Sequence, residues 1–170
     1  FLKRLFWNEF IFDDRRDDAS EINKALSYLH DQGVIELEAG VNSAGARLEI
    51  KGRGRSQLHH YAGLVENYLE SYWVVIRGTA YLRKEARSER SWMKSLIKLG
   101  TRMYRKGEIR RAEALSQANY QNAIAFLKDY GIVLVSEAPD KKDRREARIY
   151  SLREDRKALE VLRRRVFRYL

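Results

Sequence analysis

Apolar residues recur at steps of three and four from residue 56 to residue 84, and this period predicts one long helix in the middle of the chain. Ser56 is its expected N-cap, because a serine hydroxyl accepts hydrogen bonds from the free amides of a first helical turn. Residues 72–76 are apolar on every side of the predicted helix, which indicates a segment that is buried all round. We therefore expect Tyr72 and Trp73 to pack against units on both sides of the helix.

A helix and a β-hairpin are predicted in front of the long helix. Asp18-x-x-Glu21 has the pattern of a capping box that opens a helix. Gly33 is expected to end that helix, because glycine adopts a positive φ without steric cost. Residues 34–38 and 46–50 lie on either side of a glycine-containing turn and are predicted to pair as two strands.

The chain after residue 87 carries a second series of caps, glycine stops and changes of period. The first predicted element is a helix capped by Ser88, whose inner face is formed by Trp92, Met93, Leu96, Ile97 and Leu99. A short extended segment at 108–110, one helical turn at 111–115 and a helix capped by Ser116 are predicted next. Strands at 132–135 and 147–150 follow, and the capping box Ser151-x-x-Glu154 is predicted to open a last helix. Gly107 and Gly131 are expected to end the two longer helices. This order is that of a winged helix, in which the charged loop 139–146 forms the wing.

The predicted fold class is mainly α (α+β), with a winged-helix domain joined by a long central helix to a smaller unit. Residues 1–55 are predicted to form an aromatic arm plus a helix and β-hairpin unit, residues 56–87 the central helix, and residues 88–170 a basic winged-helix domain with a C-terminal helix. Residues 25–34 partly match residues 123–132 in sequence, and this partial repeat indicates that the smaller unit resembles the second half of a winged helix. Duplication and convergence both explain this match.

The positive charge of the chain is concentrated in its second half. The net charge is +10, and residues 88–170 hold 21 Lys and Arg against 11 Asp and Glu, so that 21 − 11 = 10 accounts for all of it. This asymmetry predicts an anionic partner: nucleic acid, an anionic lipid surface or an acidic protein. The absence of cysteine from the sequence excludes disulfides and thiolate metal sites and predicts a reducing compartment.

No catalytic, metal or cofactor site is predicted from the motifs of the chain. Its histidines are His30, His59 and His60, and none of them belongs to a His-x-x-x-x-Asp or His-Glu-x-x-His motif. A Gly-x-Ser-x-Gly motif is also absent from the sequence. The segment 52–55 reads Gly-Arg-Gly-Arg and lacks the Gly-Lys-Ser/Thr ending of a phosphate-binding loop, so we interpret it as a basic hinge.

Basic residues around the predicted winged helix are the candidate contacts for an anionic surface. These are Arg110, Arg111, Lys141, Lys142, Arg144, Arg145 and Arg148. The helix after Ser116 also carries polar residues that could read adenine edges, namely Gln117, Asn119, Gln121 and Asn122. That helix has no Arg or Lys up to Leu127, and the wing contains acidic residues, so DNA, lipid and protein all stay open as partners.

One segment of the long helix resembles a known family. Residues 64–75 include Glu70-Ser71-Tyr72-Trp73, and this tetrapeptide, hereafter the signature, resembles the C-terminal region of the membrane-associated glycerol-3-phosphate acyltransferases. Residues 107–116 and 122–123 extend the similarity. Asn67 departs from the family, which often has proline there.

The resemblance implies an enzyme of phospholipid synthesis that transfers a fatty acyl group to glycerol 3-phosphate. The family's chemistry resides in a His-x-x-x-x-Asp motif of the preceding catalytic domain, with histidine as general base. That motif is absent here, so no catalytic residue is carried over, and no cofactor is expected. The chain begins with phenylalanine, and we expect it to be a piece of a longer protein.

Two hypotheses of different classes follow. In the first, the chain is a non-catalytic C-terminal domain whose partners are the upstream catalytic acyltransferase domain and an anionic membrane surface. It would then be cytoplasmic and peripheral to the inner face of the cell membrane. In the second, it is a winged-helix module that binds DNA or protein.

Overall fold

A computed structural model shows a mainly helical α+β chain with two small antiparallel sheets. The structure describes residues 1–10, 17–38, 47–138, 147–154 and 156–170. The predicted wing at 139–146, with Lys141, Lys142, Arg144 and Arg145, lies outside the described residues.

The chain divides into two compact units. The smaller unit is Phe12–Val65, and the larger one combines Phe1–Ile11 with Glu66–Leu170. The division falls inside the long helix, whereas boundaries were predicted at both ends of that helix.

The smaller unit contains a helix and a two-stranded sheet. Helix α2 (Asp18–Asp31) follows the short α1 (Leu2–Leu5) of the larger unit, and strands β1 (Ile35–Glu38) and β2 (Arg47–Ile50) pair antiparallel. Gly33 ends α2 with φ 66°, which confirms the predicted stop. The predicted cap at Asp18 is wrong by one residue. The Asp17 carboxylate accepts the Ser20 amide at 3.1 Å and begins the helix.

The long helix α3 (Gly54–Gly78) begins two residues before the predicted cap Ser56. The backbone passes so close to the carbonyl oxygen of Val34 that a Cβ at position 54 would overlap it. Glycine therefore permits the entry of the helix, and Ser56 already lies inside it. After Gly78 the helix tightens into the 3₁₀ turn Thr79–Leu82, and the Nε1 of Trp92 donates to the Gly78 carbonyl at 3.1 Å.

Gly54→Ala is expected to lower the stability of the smaller unit by about 1–3 kcal/mol, because the new methyl group overlaps rigid backbone. Gly52→Ala is the matched control, since a Cβ there meets nothing within 4 Å. Amide hydrogen exchange of β1 and β2 measures the difference. Equal exchange in the two variants would show that the approach of Gly54 to Val34 is not needed.

Helix α4 (Glu89–Arg105) is capped as predicted, since the Ser88 hydroxyl accepts the Ser91 amide at 3.3 Å. Gly107, with φ 70°, follows the end of the helix as predicted. The buried face of α4 consists of Trp92, Met93, Leu96, Leu99, Gly100 and Met103. Ile97 was expected on this face but is 40% exposed, because at about 100° per residue it lies at the edge of the buried face and not within it.

The extended segment predicted at 108–110 is not a strand. The short strand is β3 (Arg87–Ser88), in front of α4. After α4 the chain forms a 3₁₀ turn (Ala112–Leu115) and then helix α5 (Gln117–Asp129). The Ser116 hydroxyl caps α5 by accepting the Asn119 amide at 3.4 Å. The predicted Ser116 cap is therefore confirmed.

The larger unit contains a three-stranded antiparallel sheet. Strands β4 (Val133–Glu137) and β5 (Arg148–Leu152) are antiparallel, and the strand order is β3-β5-β4. Gly131 precedes β4 with φ 73°, as predicted. The capping box predicted at Ser151 is wrong, because Ser151 pairs with Leu134 inside the sheet. The last helix, α6 (Lys157–Phe167), begins only after Arg156.

The core of the larger unit surrounds the second half of α3. Tyr72, Val74, Val75 and Ile76 are buried there, whereas Trp73 is half-buried. The other large buried residues of this unit include Leu5, Trp92, Leu96, Met103, Ile109, Tyr120, Leu127, Leu159 and Leu162. Trp73 is thus the exception to the all-round burial that the sequence predicted for residues 72–76.

Candidate functional site

Glu70, the first residue of the signature, holds the chain that follows α4. Its carboxylate accepts the backbone amide of Arg110 at 2.6 Å and that of Arg111 at 2.8 Å. Glu70 is 3% exposed, so these charge-assisted hydrogen bonds satisfy a carboxylate that is removed from water. The same bonds explain why the segment 108–110 is not a strand, because two of the amides in and after it are taken by a side chain.

Ser71 lies at a junction of three segments and is fully buried. Its Oγ lies 2.7 Å from the Asn67 carbonyl oxygen and 2.9 Å from that of Ala114, and its single proton can be donated to one of them at a time. The same oxygen accepts the Nδ2 of Asn119 at 3.2 Å. Ser71 thereby connects α3 to the 3₁₀ turn and to α5.

Tyr72 packs its ring between two phenylalanines. The ring centroid lies 6.2 Å from that of Phe6 and 5.8 Å from that of Phe126. Burial, followed by the charge of the Glu9 carboxylate, raises the pKa of the Tyr72 hydroxyl above its ordinary value. Burial also raises the pKa of Glu9. The hydroxyl is therefore held in its protonated form at the core of the unit.

Trp73 completes the signature on the outer side of α3. Its ring lies 5.5 Å from that of Phe167 in α6, and Phe167 is itself 63% exposed. Both this contact and the ring contacts of Tyr72 lie within the larger unit. Three signature residues are thus engaged in the interior, and the fourth reaches a partly covered surface.

The described basic candidates are paired with carboxylates. Arg111 Nε donates to Glu66 Oε2 at 2.7 Å, and Arg110 Nη1 lies 3.8 Å from Glu66 Oε1. The hydrogen bond to Glu66, aided by its charge, raises the pKa of Arg111. Arg148 Nη1 lies 3.4 Å from Glu89 Oε2. These three arginines are brought to carboxylates of the same unit rather than into one unpaired basic surface.

The predicted base-reading residues of α5 divide between its two faces. Asn119 is buried against Ser71, and Asn122 Nδ2 donates to the Asn8 carbonyl at 3.1 Å and to Glu9 Oε2 at 3.0 Å. Gln117 and Gln121 are exposed. The two asparagines are therefore used to hold α3 and the N-terminal arm.

Helix α4 carries a basic face that is not among the contacts predicted from the sequence. It consists of Arg90, Lys94, Lys98, Arg102 and Arg105, all exposed. The signal was present as a repeat of basic residues at four-residue steps.

None of the helices formed by the described residues contains an apolar stretch of the length that a bilayer crossing requires. No group of three or more His, Cys, Asp or Glu side chains in this part of the chain could hold a metal ion.

The comparison with known families agrees with the resemblance that the signature suggested. The model of the glycerol-3-phosphate acyltransferase C-terminal region matches residues 1–136, which include the whole of α3, α4 and α5. The search of curated proteins gave no match. The matched residues cover most of the chain and contain Glu70, Ser71, Tyr72 and Trp73 of the larger unit. The chain therefore belongs to the family of glycerol-3-phosphate acyltransferase C-terminal regions.

Proposed function

We propose that this chain is a non-catalytic C-terminal domain that packs on the catalytic domain of its acyltransferase, beside a membrane surface. The observation that carries the proposal is the use of the signature. Glu70 and Ser71 form their hydrogen bonds with backbone and side-chain groups of the domain itself, and Tyr72 is buried. Residues used in this way stabilise a fold and leave the acyl-transfer chemistry to the His-x-x-x-x-Asp domain of the family.

An apolar surface where α1 meets α6 supports the packing role. We call Phe1, Leu2, Phe167, Tyr169 and Leu170 the terminal patch. The rings of Phe1 and Tyr169 stack with centroids 6.2 Å apart, and Leu2, Phe167, Tyr169 and Leu170 are exposed. The family's catalytic domain precedes its C-terminal region, so that domain would join the chain on the side of Phe1. Exposed aromatic groups at that junction favour a protein contact there.

The winged-helix assignment is also part of this proposal. The strand order β3-β5-β4, with α4 and α5 between β3 and β4, supports it. In this assignment the end of α3 provides the first helix, because β3 lies in front of α4. Winged helices serve in protein contacts as well as in DNA binding, so the assignment agrees with a docking role.

The test is binding between this chain and the acyltransferase domain of the same enzyme, with the two produced separately. We expect the mixture to form a complex in size-exclusion chromatography, and the complex to transfer acyl groups to glycerol 3-phosphate faster than the catalytic domain alone. Phe167→Ser should weaken the complex at least about tenfold, because it removes a large apolar anchor. Leu134→Ser is the matched control, since Leu134 is also exposed, at 51%, but lies on β4.

The proposal is wrong if the two proteins do not associate, or if this chain alone transfers acyl groups. Equal weakening by Phe167→Ser and Leu134→Ser would move the interface away from the terminal patch.

A further inference from the structure

Helix α4 carries one continuous basic face. Arg90, Lys94, Lys98 and Arg102 follow each other at four-residue steps, and Arg105 is three residues further on. At about 100° per residue these five side chains fall within about a third of the helix circumference. The row from Arg90 to Arg105 is about 22 Å long at 1.5 Å per residue. All five residues are exposed.

The opposite face of α4 fixes this orientation. Trp92, Leu96 and Met103 are buried along it, so the helix cannot rotate its basic face inward. The one acidic residue of α4 is Glu89, which is buried and lies 3.4 Å from Arg148. The basic face therefore has no carboxylate from its own helix.

Most cations of this face are not held by carboxylates, unlike the described arginines that the sequence predicted as anionic-surface contacts. Between described residues, no salt bridge involves Lys94, Lys98, Arg102 or Arg105. By contrast, Arg111 is held by Glu66. Lys94, Lys98, Arg102 and Arg105 are therefore available to an external anionic surface, because an incoming anion does not first have to displace a carboxylate from them.

Two apolar side chains line one edge of the basic face. Ile97 is 40% exposed and Tyr104, two turns further along, is 41% exposed. This combination favours binding to a membrane interface, because the cations contact lipid phosphates while the aliphatic and aromatic groups enter the boundary of the acyl chains. The helix contains no Asn or Gln that could read adenine edges, and the exposed apolar pair beside its cations has no counterpart in a phosphate backbone. The composition of the face thus favours lipid over DNA.

We propose that this face, hereafter the α4 face (Arg90, Lys94, Ile97, Lys98, Arg102, Tyr104 and Arg105), docks flat on an anionic phospholipid bilayer. The inference deepens the proposed function and rests on its placement of the domain beside a membrane. It is separate from packing on the catalytic domain, which we assigned to the terminal patch. Each basic residue near an anionic bilayer strengthens binding about fivefold.

The test is co-sedimentation of the complete 170-residue chain with vesicles. One set contains phosphatidylglycerol mixed with phosphatidylcholine, and the other contains phosphatidylcholine alone. The variant Lys94→Gln/Lys98→Gln/Arg102→Gln removes three charges from the α4 face. The control Arg156→Gln/Arg164→Gln/Arg168→Gln removes three exposed charges around α6, so both variants change the net charge from +10 to +7, since 10 − 3 = 7. Circular dichroism verifies that both variants are folded.

We expect the wild-type chain to bind the anionic vesicles, to bind them less tightly as salt is added, and to ignore phosphatidylcholine alone. The α4 variant should bind about 100-fold less tightly, and the control less than about fivefold less tightly. Ile97→Ser/Tyr104→Ser should weaken the binding that remains at high salt, because that part is apolar.

Three results would overturn the inference. Equal losses in the α4 variant and the control would show that net charge alone drives binding. Tighter binding to duplex DNA than to the anionic vesicles at the same salt would replace lipid by nucleic acid. Failure of the wild-type chain to bind anionic vesicles would remove the membrane placement as well, whereas packing on the catalytic domain is decided separately by the chromatography experiment.

Discussion

Trp92→Ala should lower the free energy of unfolding of the larger unit by about 3–5 kcal/mol, the cost of removing a large aromatic side chain from a core. Trp92 is fully buried, and its indole Nε1 donates to the carbonyl of Gly78 where α3 ends. The substitution therefore leaves a cavity and an unsatisfied carbonyl at the same place. Chemical denaturation followed by circular dichroism measures the loss.

Trp73→Ala is the matched control for this prediction. Trp73 belongs to the signature, but it is half-buried and contacts Phe167, which is largely exposed. We expect a loss of about 1–2 kcal/mol, since less apolar area is returned to water. A loss as large as that of Trp92→Ala would contradict the burial of the two side chains as we describe it.

Glu70→Ala should lower the free energy of unfolding by about 2–4 kcal/mol, because it leaves the amides of Arg110 and Arg111 without their acceptor. Glu70→Gln keeps the side-chain volume and one acceptor oxygen, so its loss should be smaller. Urea denaturation of both variants gives the comparison.

Glu66→Gln is the control for the role of Glu70. Glu66 lies one turn earlier on α3 and meets the arginine side chains, whereas Glu70 meets the backbone amides of the same two residues. Ion pairs of exposed arginines contribute little to stability, so Glu66→Gln should cost less than Glu70→Ala. The reverse order would show that the charged surface pair, and not the backbone contact, holds this segment to α3.

Local signals in the sequence predicted the parts of the fold that short-range physics decides. Ser88 and Ser116 cap their helices because each hydroxyl reaches an amide three residues ahead. Gly33, Gly107 and Gly131 mark helix ends because each adopts a positive φ. These features depend on a few neighbouring residues, so they could be read without the rest of the chain.

The errors arose where distant parts of the chain decide the outcome. The start of α3 depends on the approach of Gly54 to Val34, and no local pattern at Ser56 reveals it. The segment 108–110 does not form a strand, because the carboxylate of Glu70, about 40 residues earlier in the sequence (110 − 70 = 40), accepts the backbone amides of Arg110 and Arg111. Ser151 has the pattern of a cap, but pairing with β4 places it in a strand.

The candidate site divides in the same way. The signature could be recognised from the sequence, but its periodicity did not distinguish Tyr72, which is enclosed, from Trp73, which reaches the surface. Arg110 and Arg111 could be predicted as exposed cations, whereas their partner Glu66 depends on how α3 packs. The α4 face is present in the sequence as a repeat of basic residues, but only the burial of the opposite face of the helix fixes its cations on the outside.

Docking of this chain on its acyltransferase domain through the terminal patch is tested most directly by hydrogen–deuterium exchange of the chain, alone and mixed with that domain. We expect slower exchange in residues 1–6 and 163–170 on mixing, with no change in α4. Unchanged exchange at both ends of the chain, or added protection confined to α4, would contradict it.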